Sequence, residues 1–182
     1  SAVGLAFDGD ADRLGVISPK GEMIFPDRQM IMFSRQVIQS SPNAKIVFDV
    51  KCSKLLSDEI EKLKGKPLIC KTGHTFIKQK IRETDALLGG EMSGHIFFND
   101  RWPGFDDGIY AGARMLEIIA NSKEDDLFVT VPNMLSTPEI NIPAADEEKF
   151  QIVKTFIENS KFNDAKIVSV DGIRVEFETG WG

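Results

Sequence analysis

Short apolar runs, typical of buried strands, alternate with longer segments in which apolar residues recur at helical spacing. Strands separated by helices of this length need crossover connections, which predicts a largely parallel, mixed sheet with helices on both faces. The fold class is therefore α/β. The expected strands are Lys45 to Val50, Pro67 to Cys70, Ala86 to Leu88 and the return strand Ile96 to Phe98. The expected helices run from Asp27 to about Gln39, from Ser53 towards Gly65, over Thr75 to Glu83 and from Asp107 through Ala120, with Asp27, Ser53 and Asp107 as caps.

The first 25 residues predict short strands around an acidic loop. Val3 to Phe7 forms a strand, and the loop follows over Asp8 to Arg13. Leu14 to Ile17 and Glu22 to Phe25 then form a hairpin, because the turn Ser18 to Gly21 between them contains proline and glycine.

The pattern changes near residue 130, where prolines become frequent, and this predicts a domain boundary. The chain is accordingly divided into residues 1–25, an α/β domain over 26–130, and a small α+β domain over 131–182. The last domain is expected to contain a strand at Pro138 to Ile142 and a helix at Asp146 to Asn159. The inward residues of that helix are expected to be Phe150, Val153, Phe156 and Ile157. A hairpin of Lys166 to Val170 and Ile173 to Glu178, of the tight primed-turn kind, is expected to be joined by Asp171-Gly172.

Composition limits the class of partner. The 182 residues are 42% hydrophobic and carry a net charge of −6, and the basic residues are scattered, which argues against nucleic acid as a partner. No apolar run approaches the roughly 20 residues needed to cross a bilayer, so no membrane is expected. Cys52 and Cys70 lack the spacing of a zinc site or disulfide framework, and a reducing, cytoplasmic setting fits them.

The loop after the first strand carries a carboxylate at every second residue. Asp8, Asp10 and Asp12 follow an apolar strand directly, with small residues between them. Without an ion, three like charges would be crowded together, which shifts pKa values or requires a counterion. Oxygen ligands select a hard cation, and three monodentate carboxylates leave positions for water or phosphate, which suits Mg²⁺. The sequence therefore predicts a Mg²⁺ site at these three residues.

Other interpretations of this loop compete with a magnesium site. It could be a solvated acidic turn. An EF-hand is disfavoured, because Arg13 stands at its sixth position in place of glycine and Pro19 at its twelfth in place of glutamate. An apolar strand followed by Asp8 and Asp10 also suits an aspartyl-phosphate phosphatase or mutase with Asp8 as nucleophile. Phosphate trapped covalently on Asp8 would decide for that class.

Four segments occur in the order seen in the α-D-phosphohexomutases, and together they are specific. The chain most resembles the bacterial phosphomannomutase/phosphoglucomutase branch of that family. The similarity runs from Gly4 to Gly182, over what looks like the end of domain two, all of domain three and most of domain four, so the chain is expected to be a fragment of a longer protein. The four segments are Gly4 to Arg13, Lys71 to His74, Gly90 to His95 and Gly104 to Gly108.

The resemblance implies an enzyme that moves a phosphoryl group reversibly between the C1 and C6 oxygens of glucose or mannose phosphate, through a hexose bisphosphate. In that family the aspartate loop holds Mg²⁺ beside a phosphoserine, which implies Asp8, Asp10 and Asp12 as the ligands. Arg13 would neutralise nearby phosphoryl charge, as phosphoryl transfer requires. A salt bridge that only offsets the negative charge of the aspartates explains the presence of Arg13 equally well.

The same resemblance gives roles to five further residues. Glu91 and Ser93, on a glycine-flanked loop, look like the residues that bind the hexose hydroxyls, with Met92 between them packed elsewhere. His74 looks like a substrate contact, His95 like an acid/base candidate, and Lys51 like a lysine that approaches the substrate. Local explanations compete: Glu91 could cap a helix, the histidines could be satisfied polar groups, and Lys51 could be a solvated strand end.

The serine and the phosphate-binding loop of that family have no counterpart in this chain. The 182 residues alone are therefore expected to bind metal weakly and not to turn over. A different class of function is a non-catalytic sugar-phosphate binding or regulatory module. Titration of glucose 6-phosphate against the chain and against the full-length protein would separate a module from a piece of an enzyme, while the choice of hexose stays open.

Overall fold

The computed structural model describes residues 1–124, 126–137 and 139–182. The chain separates into two compact units, Ser1–Asn133 and Met134–Gly182. The division at residues 25 and 130 that the sequence suggested stays a prediction. The elements in chain order are β1 (Gly4–Phe7), β2 (Leu14–Ile17), β3 (Met23–Ile24), α1 (Pro26–Ser40), β4 (Lys45–Asp49), α2 (Lys54–Lys62), β5 (Lys66–Cys70), α3 (His74–Thr84), β6 (Leu88–Gly90), β7 (Ile96–Phe98), α4 (Gly108–Asn121), a 3-10 helix (Leu127–Thr130), α5 (Lys149–Asn159), β8 (Lys166–Val168) and β9 (Arg174–Glu176).

The first three strands form an antiparallel sheet in the order β1-β2-β3. The pairing of Phe7 with Leu14 leaves the acidic loop as the connection between β1 and β2. The predicted hairpin of β2 and β3 is confirmed, and its turn is closed by hydrogen bonds between Ser18 and both Gly21 and Glu22. The sheet thus presents all three loop carboxylates beyond one of its ends.

The second sheet has the order β5-β4-β6-β7, with β5, β4 and β6 parallel and β7 antiparallel. The predicted mixed, largely parallel sheet is therefore confirmed. Strand β5 lies on one side of β4, and the chain then crosses over β4 to form β6 on its other side. Because such crossovers are right-handed, two crossovers in opposite directions place α2 and α3 on opposite faces of the sheet.

Two apolar cores confirm that helices cover both faces. Ile46 and Phe48 of β4 belong to the larger core, with residues of α1, α2 and α4, whereas Val47 between them belongs to the smaller core with α3. This alternation is the period of two expected for a strand. The strand is buried on both faces, which explains why its sequence is a continuous apolar run.

The third strand of this sheet lies further along the chain than predicted. It covers Leu88–Gly90 in place of Ala86 to Leu88. A Cβ added at Gly89 would meet Ile81 Cδ1 at 2.7 Å, and one at Gly90 would meet Met30. Helices approach this strand closely on both faces, so glycines form its centre although glycine is a poor strand former.

Two of the three predicted helix caps are confirmed. Ser53 and Asp107 accept backbone N–H groups at the starts of α2 and α4. Asp27 is not a cap, because α1 begins one residue earlier at Pro26, whose fixed φ suits the first helical position. The Asp27 carboxylate accepts the N–H of Ser53 at 3.2 Å and so ties the start of α1 to the start of α2.

The second unit is α+β, with α5 and an antiparallel hairpin of β8 and β9. Three predictions about it are wrong. Residues 139–142 form no strand, and Pro138 lies outside the described residues. Phe150, Val153 and Phe156 of α5 are exposed and Ile157 is only partly buried, so the predicted inward face is not buried. The physical reason is that a two-stranded hairpin is too small to cover a helix. The hairpin loop spans residues 169–173 and only Gly172 has positive φ, so it is not a two-residue primed turn.

Among the described residues, no helix combines the length and the apolar character needed to cross a membrane.

Candidate functional site

The predicted site residues lie at the edge where the parallel strands end. β4 ends at Asp49, β5 at Cys70 and β6 at Gly90, and the antiparallel β7 begins at the same edge directly after His95. Open α/β sheets bind ligands at the carboxyl ends of their strands, beside the strand from which the chain connections run to opposite sides of the sheet. Here that strand is β4, so the topology alone selects this edge for a ligand.

The acidic loop is folded into a tight turn over Asp8 to Arg13. Ala11 has φ +60° and its N–H donates to the Asp8 carbonyl oxygen at 3.2 Å. One carboxylate oxygen of each of Asp8, Asp10 and Asp12 lies within 4.8 Å of the others. The three side chains predicted as metal ligands are therefore brought together by the loop itself.

Arg13 closes the loop by binding the first of these carboxylates. Its Nε donates to Asp8 Oδ2 at 2.5 Å and its backbone N–H donates to Asp8 Oδ1 at 3.2 Å. Its Nε also lies 3.8 Å from Asp12. Desolvation alone would raise the pKa of Asp8, but the hydrogen bonds and charge of Arg13 outweigh it and hold that pKa below its usual value. Asp8 therefore stays ionised, as a metal ligand must.

Backbone contacts anchor this loop to the α/β domain. The N–H of Leu14 donates to the carbonyl oxygen of Gly94 at 3.1 Å, and the N–H of Gly108 donates to that of Ala11 at 3.0 Å. A Cβ at Gly108 would meet the carbonyl oxygen of Arg13 at 2.6 Å, so only glycine allows the first residue of α4 to approach this closely. The position of the three carboxylates thus depends on the start of α4.

The donor set fits a small hard cation. Carboxylate oxygens are the ligands that Mg²⁺ prefers, and about 3 to 4 Å between oxygens is what an octahedron with bonds of about 2.1 Å requires. The three carboxylate oxygens lie within 4.8 Å of one another, which is close enough for the side chains to converge on one ion. Asp8 and Asp12 are partly buried and Asp10 is exposed, which leaves one side of the group open. The identity of the ion stays a prediction.

Both histidines converge on one carboxylate, that of Asp106, and His95 also borders the acidic loop. Nδ1 of His74 lies 3.1 Å from Asp106 Oδ2, and Nδ1 of His95 lies 3.2 Å from the same oxygen. Nδ1 of His95 also lies 3.6 Å from Asp12 Oδ2. The two rings stack with centroids 5.4 Å apart and an interplanar angle of 22°. The structure therefore links His74, His95 and the metal-binding loop in one cluster.

Lys78 supplies the positive charge of this cluster. Its Nζ donates to Asp106 Oδ1 at 3.0 Å, one helical turn beyond His74. Burial alone would raise the pKa of Asp106, whose side chain is 9% exposed, but the hydrogen bonds of Lys78 and His74 lower it. Asp106 is thus a largely buried, ionised acceptor between three basic side chains.

Glu91 is buried directly after β6, at 2% exposure. Its Oε1 accepts the N–H of Gly73, the N-cap of α3, at 2.5 Å. Burial raises the pKa of Glu91, and the hydrogen bond from Gly73 only partly opposes this. The local capping role considered from the sequence is present, and it holds the carboxylate at a helix N-terminus, where negative charge is favoured.

The fully buried side chain of Asp49 supports the turn from Glu91 to His95 through a hydrogen bond. The N–H of Met92 donates to Asp49 Oδ1 at 3.2 Å, and burial raises the pKa of Asp49. Met92 packs against the core as predicted, whereas Ser93 is exposed on the turn. Lys51 lies exposed two residues after β4 at the same edge. The substrate-binding roles of Ser93 and Lys51 stay predictions.

Roles for Asp106, Lys78 and Asp49 were not predictable from the sequence. Asp106 precedes a helix cap, and its position suggested only a loop. Its proximity to His74 depends on residues 32 positions apart, which no local pattern reveals. The single available signal was the spacing of His74 and Lys78, four residues apart on a helix, which places both side chains on one face.

Comparisons with known proteins find similar sequences along nearly the whole chain. The family described as "Phosphoglucomutase/phosphomannomutase, alpha/beta/alpha domain III" matches residues 25–133. A phosphomannomutase/phosphoglucomutase from Pseudomonas syringae pv. tomato is 48% identical over 182 residues, which cover 99% of this chain and 39% of the relative. A phosphoglucomutase from Neisseria gonorrhoeae is 46% identical over 183 residues, with 99% of this chain and 40% of the relative covered.

A solved structure shows the same similarity in three dimensions. The crystal structure of a phosphoglucomutase/phosphomannomutase family protein from Burkholderia thailandensis superposes with a TM-score of 0.92 at 45% identity. It covers 100% of this chain, and the match extends over 39% of the Burkholderia chain. The chain therefore spans about two fifths of the length of these relatives.

Proposed function

Because this chain belongs to the phosphoglucomutase/phosphomannomutase family, we propose that it supplies the metal-binding and sugar-binding part of a phosphohexomutase. The whole enzyme moves a phosphoryl group reversibly between the C1 and C6 oxygens of glucose or mannose phosphate. Its substrates are hexose phosphates, and a hexose bisphosphate is the intermediate. The phosphoserine that donates and accepts the group lies outside these 182 residues.

One observation carries this proposal. Three loop carboxylates, the Arg13 guanidinium and the His95 imidazole lie together at the ligand-binding edge of the sheet, with the Glu91 carboxylate at the same edge. Phosphoryl transfer needs positioning and stabilisation of charge more than it needs a reactive side chain. A carboxylate-rich loop for a cation, a guanidinium and an imidazole are the groups that such a reaction uses.

Asp8, Asp10 and Asp12 would hold Mg²⁺, since they provide the oxygen donors it prefers. The bound ion would offset negative charge on the phosphoryl group. Arg13 lies between Asp8 and Asp12 and would share that task, because a guanidinium presents several N–H donors to phosphate oxygens.

His95 is the candidate for proton transfer in this proposal. It takes the proton of the attacking sugar hydroxyl and returns it when that oxygen becomes the leaving group. Its ring is 15% exposed and lies beside Asp12, so it borders the metal-binding loop. Proton transfer by a positioned side chain contributes about 10²–10⁴ in rate. His74, Lys51, Ser93 and Glu91 bind the sugar phosphate, with Glu91 accepting hydrogen bonds from hexose hydroxyls.

The isolated 182-residue chain is expected to show no mutase turnover, because it lacks the phosphoserine, whereas the full-length protein converts glucose 1-phosphate to glucose 6-phosphate. A coupled assay for glucose 6-phosphate measures both. Turnover by the isolated chain would contradict the assignment of the phosphoryl carrier to another segment. Phosphate bound covalently to Asp8 in the full-length protein would replace the mutase proposal with an aspartyl-phosphate mechanism.

Substitution of Glu91 by glutamine is expected to have opposite effects on binding and stability. Glutamine keeps an acceptor for the Gly73 N–H but removes a buried charge. Since burial raises the pKa of Glu91, the folded state binds its proton more tightly than the unfolded state, and the ionised form destabilises the fold as pH rises through the folded-state pKa. The variant is therefore more stable than the wild type at neutral pH, and this gain fades at acidic pH.

The same substitution weakens sugar binding, because a charged acceptor contributes about 1.5–3 kcal/mol per hydrogen bond and a neutral one less. We expect KM for glucose 1-phosphate to rise about 10-fold in the full-length enzyme. Steady-state kinetics and thermal unfolding at neutral and acidic pH measure the two effects. Glu61→Gln, at an exposed position on α2, is the matched control and should leave KM unchanged. An unchanged KM in the Glu91 variant would remove Glu91 from the binding site.

A further inference from the structure

Asp106 stands between the two histidines, and the reaction proposed above does not use it. These are the chain's only histidines, and Nδ1 of each faces the same carboxylate oxygen, at 3.1 Å for His74 and 3.2 Å for His95. The other oxygen accepts a hydrogen bond from Lys78. One largely buried carboxylate is thus the shared neighbour of both imidazoles.

We propose that Asp106 is a positioning residue that keeps the proton of both neutral imidazoles on Nδ1. In each ring Nε2 is then the atom with the free lone pair. An ionised carboxylate can only accept hydrogen bonds, so an unprotonated Nδ1 at 3.1 Å would set two lone pairs against each other. A protonated Nδ1 converts the same contact into attraction. The tautomer of a histidine is commonly set in this way by the partner of its other nitrogen.

The surroundings of His95 strengthen this assignment. Its Nδ1 is buried and, among the described residues, has no hydrogen-bond partner in line, although Asp106 Oδ2 lies at 3.2 Å and Asp12 Oδ2 at 3.6 Å. Both nearby oxygens are carboxylates and acceptors. A rotation of the ring is needed to bring Nδ1–H into line with Asp106, and it leaves Nε2, on the opposite side of the ring, to exchange a proton with the sugar oxygen.

Lys78 offers the competing arrangement at His74. Its Nζ lies 3.2 Å from His74 Nδ1, and donation to that atom would require a lone pair there and a proton on Nε2. Lys78 also donates to Asp106 Oδ1 at 3.0 Å, and because an ammonium has three N–H groups this bond does not itself decide the tautomer of His74. The two arrangements differ only in the position of one proton, which can be observed directly.

Long-range ¹H–¹⁵N correlation spectra of the ¹⁵N-histidine-labelled chain at alkaline pH measure the tautomers. With two histidines, the spectrum contains two sets of signals. We expect Nδ1–H in both wild-type rings. Asp106→Asn, which keeps the shape but offers an amide N–H₂ to Nδ1, should shift both rings towards Nε2–H. Asp107→Asn is the matched control, because an asparagine side chain at that position still caps α4, and it should leave the spectrum unchanged.

A wild-type spectrum with Nε2–H on either ring would overturn the proposal without any variant, and so would an unchanged spectrum in Asp106→Asn. The consequence for turnover rests on the proposed function. In the full-length mutase, Asp106→Asn should lower kcat about 100-fold and change KM less than about 10-fold, since it affects proton transfer more than binding. An inactive wild-type enzyme would contradict the mutase proposal alone, because the tautomers are measured independently of activity.

Discussion

Asp10→Asn is expected to lower the kcat of the proposed mutase reaction, measured in the full-length protein, by at least about 100-fold, because a metal ion bound at the proposed site would contribute several kcal/mol to stabilising transition-state charge. Asp10 is the exposed member of the three loop carboxylates, so its replacement removes one negative charge of the proposed metal site without disturbing a packed group. The same variant is expected to bind Mg²⁺ more weakly. Coupled-assay kinetics over a range of Mg²⁺ concentrations and calorimetric titration of Mg²⁺ measure the two effects.

The control for this variant is Glu22→Gln, which removes one exposed negative charge at the far end of the β2–β3 hairpin. It should leave both kcat and Mg²⁺ binding unchanged. If Asp10→Asn had wild-type kcat at every Mg²⁺ concentration, Asp10 would not be a ligand in the working enzyme. If both variants lost activity equally, the effect would reflect overall charge and not the metal site.

Gly108→Ala is expected to destabilise the chain by about 1–3 kcal/mol and to weaken Mg²⁺ binding. The added Cβ would lie 2.6 Å from the carbonyl oxygen of Arg13 and 2.9 Å from that of Ala11. Both are backbone atoms, so no side chain can rotate away, and the start of α4 must separate from the acidic loop. That separation breaks the hydrogen bond from Gly108 to Ala11 and moves the three carboxylates.

Urea unfolding followed by circular dichroism measures the loss of stability, and calorimetry measures Mg²⁺ binding. Gly15→Ala is the matched control, because its Cβ would meet Ala6 Cβ at 3.5 Å, an ordinary contact on the exposed side of β2. It should preserve both properties. Wild-type stability and Mg²⁺ affinity in Gly108→Ala would show that α4 does not position the loop.

Features that depend on neighbouring residues were predictable. The alternation of apolar runs and helical periodicity indicated the α/β class, and Ser53 and Asp107 act as the caps that their positions suggested. Errors occurred where a stronger local or tertiary constraint was present. Helix α1 begins at Pro26, so Asp27 lies inside the helix and is not its cap. Strand β6 includes Gly89 and Gly90, because the helices pack so closely on both faces that larger residues would not fit. In the second unit, the apolar pattern of α5 predicted burial, but no large enough surface in that unit covers it.

The candidate metal site was predictable from the sequence, because Asp8, Asp10 and Asp12 lie in one short loop and come close together without the help of a distant element. The cluster around Asp106 was not. It joins the acidic loop, the start of α3, the residue before β7 and the loop before α4, which the parallel sheet brings to one edge. Sequence by itself therefore determined the groups whose geometry is local. Only the tertiary structure decided which carboxylate faces the histidines, because that contact depends on the order and direction of the strands.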